Sequence, residues 1–141
     1  MFTENNREKG TAAVEFVLIL PLLLLMFFLI IEFSIVLYDK AVITNASREG
    51  ARSGVVFSYP PRVSVGAITA TVNSYCASNL ISFGPATPTT VVSGSCNNTG
   101  DPLTVNVSYT YSFYVLPNFT SGLGTGITGI TLTGTTVMRC E

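Results

Sequence analysis

The longest uninterrupted apolar stretch of the chain lies near its start, and it limits how the rest can be interpreted. From Phe16 to Ile31 no residue is charged, and beyond Glu32 the apolar character continues to Tyr38. A helix over 16–38 is about 35 Å long at 1.5 Å per residue, which is enough to cross a ~30 Å hydrocarbon core. The pattern therefore predicts a membrane-spanning helix over 16–38.

The same helix is predicted to run on beyond the membrane, so that it covers 11–54 and stops at Gly54. Its outer part carries a polar stripe and, on another side, small residues spaced by four, which allow another backbone to approach closely. We expect this notch to receive the chain's own folded domain, although a neighbouring subunit is the alternative. The residues assigned to helix packing are Ala46, Arg48, Glu49, Gly50 and Arg52.

A short polar segment, residues 1–10, precedes the apolar stretch and ends in Gly10. Cleavage after Gly10 would make Thr11 the first residue, and Glu15, next to Phe16, would become the fifth. The new ammonium group at Thr11 would need a carboxylate in a medium of low dielectric, and Thr11 and Glu15 lie on one helix face at i, i+4. Between helices, the same pair could set the axial stagger of two subunits. This spacing is typical of a prepilin signal.

Two other interpretations of the apolar stretch are less complete. A conventional signal peptide has a shorter apolar core of about 7–15 residues and a small-x-small cleavage site. A plain single-pass anchor explains the length but leaves Glu15 without a role. Within the stretch, Pro21 predicts a helix kink, either merely tolerated or used as a flexible point. Glu32 is expected near the outer headgroups.

Composition excludes several classes of function. The chain has 141 residues and a net charge of -1, which gives no support to nucleic-acid binding. It contains no histidine, so a Ser-His-Asp site and a histidine-ligated metal site are both impossible. The sequence shows no constellation of acid, base and nucleophile. We therefore expect neither an enzyme nor a bound cofactor or metal.

The remainder, residues 55–141, predicts a small α+β domain. Apolar residues at helical spacing predict a second helix over 64–79, capped by Ser64. Strands are expected at 89–95, at 103–115, where apolar and polar residues alternate, and at 130–139. A glycine-rich connection over 116–129 is expected to be a flexible loop. Together these elements predict a three-stranded antiparallel sheet packed on the helices.

Three cysteines follow the apolar stretch, so an oxidising compartment would allow one disulfide and leave one thiol. Cys76 ends the predicted second helix and Cys96 ends the first strand, and we expect these two to pair. Cys96 with Cys140 is the second possibility. In a domain this small, one disulfide contributes about 2–4 kcal/mol to the stability.

The N-terminal stretch resembles the TadE-like proteins of the Tad (tight adherence) pilus systems, through GTAAVEF, LPLLLL, IIEF and TNASREGARSGV. The resemblance covers roughly residues 7–56, and the ending TTVMRCE adds a shorter match. It implies a type IV pilin-like fold, in which a small sheet covers the outer half of a long helix. It also implies that Gly10 is the cleavage position and Glu15 the acid that the family carries there.

The function implied by this resemblance is that of a minor pseudopilin, processed by a prepilin peptidase and required for pilus assembly, with links to adhesion and secretion. Its expected partners are the peptidase, other pilins or pseudopilins, the inner-membrane assembly platform and membrane lipid. It would lie in the bacterial inner membrane with its N-terminus cytoplasmic and its domain extracytoplasmic. The alternative function is an uncleaved, membrane-anchored binding module.

Overall fold

The computed structural model describes residues 4–56, 63–82, 87–120, 126 and 128–141 of the chain. Its elements are three helices, α1 (Glu4–Val55), α2 (Val65–Asn79) and α3 (Val115–Thr120), and three strands, β1 (Thr89–Ser93), β2 (Pro102–Ser112) and β3 (Gly129–Arg139). Residues 1–3 of the predicted leader and part of the glycine-rich connection, 121–125 and 127, lie outside the described residues.

The strands form one antiparallel sheet in the order β1-β2-β3. Alternation along β2 turns five side chains into the core and leaves the intervening Thr, Asn and Ser side chains on the other face. The inward side chains are Leu103, Val105, Val107, Tyr109 and Tyr111. This is the predicted α+β, pilin-like arrangement, and it confirms the three-stranded antiparallel sheet.

The outer half of α1 lies against both α2 and the inner face of the sheet. On the sheet side, β3 approaches α1 backbone to backbone. A Cβ added to Gly134 would lie 2.8 Å from the Ile43 carbonyl oxygen. Two polar contacts hold the same crossing: Lys40 donates to the Thr133 carbonyl oxygen, and the Ser47 and Thr136 hydroxyls lie 2.7 Å apart.

The second helix begins where its sequence predicts. The Ser64 hydroxyl accepts a hydrogen bond of 3.2 Å from the N–H of Ala67, which satisfies one of the free amides of the first turn. Its buried residues, Ile68, Val72 and Cys76, recur every four positions and face α1. α2 thus runs antiparallel to α1, with its end placed by the Ile81 N–H, which donates to Asp39.

Several predicted boundaries differ from the structure. α1 runs through Gly54 to Val55, and Gly54 is needed for close packing, because a Cβ there would lie 2.6 Å from the Leu103 side chain. β1 ends at Ser93, where Gly94 has a φ of 94°. β2 ends at Ser112, and the predicted loop 116–129 contains most of α3, since the chain turns back there onto α1.

The favoured disulfide, Cys76 with Cys96, is wrong. The structure joins Cys96 to Cys140, with 5.4 Å between their Cα atoms, and leaves Cys76 a buried free thiol. Cys96 lies at the end of α1, where its sulfur is 3.6 Å from the Gly54 carbonyl oxygen. Cys76 lies one turn of α2 beyond Val72, which packs at Gly50. The two thiols are therefore about two helical turns, ~11 Å, apart along α1, too far for a disulfide.

Candidate functional site

The first half of α1 lies outside the core of the chain. An 18-residue window of this helix has a mean hydropathy of 3.0, and none of that window is buried. From Gly10 onward, the first buried side chain of this helix is Glu32. Among the described residues, α1 is the one helix long and apolar enough to cross a membrane. The segment is a candidate membrane anchor.

The predicted processing residues lie at the start of this exposed half. Gly10, Thr11, Glu15 and Phe16 are all exposed, and Phe16 retains 62% of its accessible surface. Around Gly10 there is open space, since an added Cβ would meet nothing within 4 Å. Thr11 and Glu15 are separated by one helical turn, which places them on the same face. The structure therefore brings these four residues together on one short, accessible stretch.

Pro21 lies inside α1, and the helix is continuous on both sides of it. Its missing N–H removes one hydrogen bond of the helix, and the apolar surroundings supply no water to replace it. The position falls within the exposed apolar half, away from the folded domain. Both proposed roles of this proline, a tolerated kink and a flexible point, stay predictions.

The small-residue notch on the outer half of α1 is filled by the chain's own domain. Ala46 is fully buried, and a Cβ added to Gly50 would lie 2.5 Å from a methyl group of Val72. This placement agrees with the interpretation that the notch receives the chain's own folded domain. The polar members of the predicted packing set, Arg48, Glu49 and Arg52, are exposed on the opposite side.

Glu32 joins the anchor to the folded domain. Its side chain is only 4% exposed. One carboxylate oxygen accepts hydrogen bonds from the N–H groups of Tyr114 and Val115, and the other accepts from Leu116 at 3.3 Å. These N–H groups lie at the start of α3, the end of a helix that attracts negative charge. The acid in the apolar stretch thus fixes a segment 82–84 residues later in the chain.

This role of Glu32 was not predicted from the sequence. An acid within an apolar run indicates that its carboxylate needs a hydrogen-bond donor or a cation, but no neighbouring residue in the sequence shows which group supplies it. The partner is a set of backbone amides, which every residue type except proline carries, so the sequence does not mark them. The helix that presents them, α3, has only six residues. No short helix of this kind stands out by hydrophobic periodicity.

A second buried acid lies two turns further along the same helix face. Asp39 is fully buried, and its Oδ1 accepts a 3.0 Å hydrogen bond from the Ile81 N–H. Burial raises the pKa of Asp39, and the Ile81 hydrogen bond offsets part of that rise. Burial also raises the pKa of Tyr111 to about 12, with further contributions from the charges of Glu32, Asp39 and Tyr109.

The described part of the chain contains no arrangement suited to a metal ion. Among these residues no group of three or more His, Cys, Asp or Glu side chains comes together. Asp39 Oδ2 and the Tyr111 hydroxyl are buried without a hydrogen-bond partner among the described residues. Both lie inside the core, so we assign them to packing.

Comparison with known proteins identifies the N-terminal helix. A family model described as TadE-like protein matches residues 10–52, which include Gly10, Glu15, Glu32 and the packing notch. No curated protein and no solved structure matches the chain. The TadE-like family is associated with the Tad pilus, and its members are typically structural rather than catalytic. Residues 10–52 of the chain therefore match the TadE-like family, and the outer half of that helix carries an α+β domain of pilin-like arrangement.

Proposed function

We propose that this chain is a minor pseudopilin, cleaved after Gly10 by a prepilin peptidase and required for assembly of a Tad-type pilus. The observation that carries the proposal is that none of residues 10–31, which lie within the TadE-like match, is buried by the chain itself. A helix segment that the chain does not bury itself is available to lipid before assembly and to other helices during assembly. This use needs no catalytic group.

In the proposed sequence of events, residues 1–10 form the cytoplasmic leader. Residues 11–54 are the helix, with its membrane part near 16–38, and 55–141 form the extracytoplasmic domain. The peptidase, other pilins or pseudopilins, the inner-membrane platform and lipid are the partners. Once Gly10 is removed, the ammonium of Thr11 pairs with the Glu15 carboxylate of the same or a neighbouring helix. An unpaired carboxylate in hydrocarbon is costly, so this pairing gives helix assembly its specificity.

Intact mass measurement of the protein from membranes tests the cleavage. The protein is expressed with and without the matching prepilin peptidase, and the wild type is compared with the Gly10→Leu variant. We expect the wild type to lose residues 1–10 only when the peptidase is present, and the variant to keep them. A wild-type chain that retains Met1 beside an active peptidase would favour the uncleaved binding module.

Two single substitutions test the assembly role. Glu15→Ala is expected to impair pilus formation while the protein remains in the membrane. Asn73→Ala removes an exposed polar side chain from α2, outside the residues assigned to helix packing, and is the control, with pili expected at wild-type levels. Equal pilus yields from both variants would contradict a role for Glu15.

A further inference from the structure

The end of the folded domain nearest the exposed apolar half of α1 presents a neutral, largely apolar surface beside that helix. We call residues 113–118 the foot. The foot contains no charged residue, and its Tyr114 side chain is 67% exposed. Three of its N–H groups are bound by Glu32, which holds the foot against α1. Its position along the anchor is therefore set by the fold.

Two apolar clefts lie where the foot meets the helix. One, of about 420 Å³, lies between Phe28 and Ile31 of α1 and Tyr114 and Val115 of the foot. The other, of about 490 Å³, lies between Ile30 and Phe33 of the helix and Leu116 of the foot.

The clefts lie on opposite flanks of the helix face that carries Glu32. At 100° per residue, Phe28 and Ile31 fall to one side of Glu32, while Ile30 and Phe33 fall to the other. An occupant must therefore be apolar and must surround the helix on more than one side. A single neighbouring helix would fill one flank only.

Length also places the foot at a membrane boundary. The stretch 11–32 is about 33 Å long as a helix, which matches a ~30 Å hydrocarbon core. Below Glu32 the helix is bare and apolar, and from Glu32 outward one face of it is covered by protein. Tyrosine is favoured where hydrocarbon meets headgroups, because its ring is apolar and its hydroxyl is polar.

We propose that the foot lies in the outer leaflet of the bilayer, with lipid acyl chains filling both clefts. This inference rests on the proposed membrane anchoring. Glu32 then sits at the hydrocarbon edge with its charge bound by backbone amides, which removes much of the cost of placing it there. The span shifts toward the N-terminus, to about 11–32 rather than 16–38. Because the foot is uncharged, its insertion does not depend on anionic lipid.

Single tryptophans report on this placement, because the chain has none of its own. The full-length chain is reconstituted in phosphatidylcholine vesicles brominated at shallow or deep acyl positions. Tyr114→Trp and Asn118→Trp probe the foot, and Phe27→Trp probes the anchor. Val137→Trp, at an exposed site near the far end of β3, is the matched control. We expect at least twofold quenching of both foot tryptophans by shallow bromine, and none at Val137→Trp.

The outcomes separate this inference from the proposed anchoring. Quenching of Phe27→Trp by deep bromine, together with foot tryptophans as unquenched as Val137→Trp, would overturn the foot and keep the anchor. An unquenched Phe27→Trp would overturn both. Blue-shifted but unquenched foot tryptophans would show that protein covers the foot, which also overturns the inference. Circular dichroism verifies that each variant is folded, and the two foot sites serve as independent reporters.

Discussion

At the scale of single residues, Glu32 is the contact that couples anchor and domain. The Glu32→Ala variant removes the carboxylate that accepts hydrogen bonds from three amides of the foot. We expect the detergent-solubilised chain to lose about 1–3 kcal/mol of unfolding free energy in urea. Amide hydrogen exchange at residues 114–116 should accelerate as well, since these N–H groups lose their hydrogen bonds.

Glu49→Ala is the matched control for this experiment, because Glu49 is an exposed acid on the same helix. Its unfolding free energy should stay within about 0.5 kcal/mol of the wild type. If both variants lose the same amount of stability, or if exchange at 114–116 is unchanged in Glu32→Ala, the coupling assigned to Glu32 is wrong.

Asp39 gives a prediction on pH dependence. Burial raises the pKa of Asp39 in the folded chain above its ordinary value of 3.8, so the folded state binds this proton more tightly than the unfolded state. Its contribution to stability is therefore complete below pH 3.8 and is lost as the pH rises through the folded pKa. Asp39→Asn should flatten this decline in unfolding free energy, measured in urea from about pH 4 to pH 7.

The comparison variant is Glu49→Gln, an exposed carboxylate removed from the same helix. Its pH profile should run parallel to that of the wild type, because other carboxylates contribute equally to both. An Asp39→Asn profile that is also parallel to the wild type would show that Asp39 titrates alike in the folded and unfolded chains.

At the scale of elements, the crossing of α1 and β3 depends on the absence of a side chain at Gly134. In Gly134→Ala the new Cβ would meet the Ile43 carbonyl oxygen at 2.8 Å and the Thr44 Cα at 3.0 Å. Both are helix backbone atoms that cannot rotate away, so the strand must shift. We expect a loss of about 1–3 kcal/mol in unfolding free energy.

The control for the helix–strand crossing is a glycine-to-alanine substitution at a site where the added Cβ has room. A Cβ at Gly66, in α2, would meet only the Ser64 hydroxyl oxygen, at 3.8 Å. Gly66→Ala should be neutral or stabilise by up to about 1 kcal/mol, because alanine favours helix more than glycine. A Gly134→Ala variant as stable as Gly66→Ala would mean that the two backbones are further apart than described.

At the scale of the whole molecule, the Cys96–Cys140 disulfide joins the segment after β3 to the turn after β1. It spans 44 residues that include β2, α3 and β3. Loss of both cysteines in the Cys96→Ser/Cys140→Ser variant should cost about 2–4 kcal/mol, since the unfolded chain gains freedom. Reductant should destabilise the wild type similarly and leave the variant unchanged.

Thiol labelling checks the same pairing directly. Burial raises the pKa of the Cys76 thiol to about 11, which keeps it protonated and unreactive in the folded chain. We expect no label on the oxidised native protein and a single labelled cysteine, Cys76, after unfolding without reductant. Label on Cys140 under these conditions would contradict the assigned disulfide.

The sequence alone determined those features that depend on local patterns. The length of the apolar stretch predicted the half of α1 that the chain does not bury. The alternation of apolar and polar residues predicted β2. Ser64, placed before apolar residues at helical spacing, predicted the start of α2. Gly10 and Glu15 were candidates from their spacing together with the short polar leader and the apolar stretch that follows. Each of these follows from chemistry within a few residues, where periodicity, capping and hydropathy act.

Tertiary structure decided what depends on residues that are distant in the chain. The disulfide partner of Cys96 depended on where α2 lies along α1, which no spacing in the sequence records. The role of Glu32 required α3, a segment too short for a periodic signal, to return to the helix more than eighty residues later. The physical reason is that a buried charge is satisfied by whatever donors the completed fold brings to it, and backbone amides are present at nearly every residue.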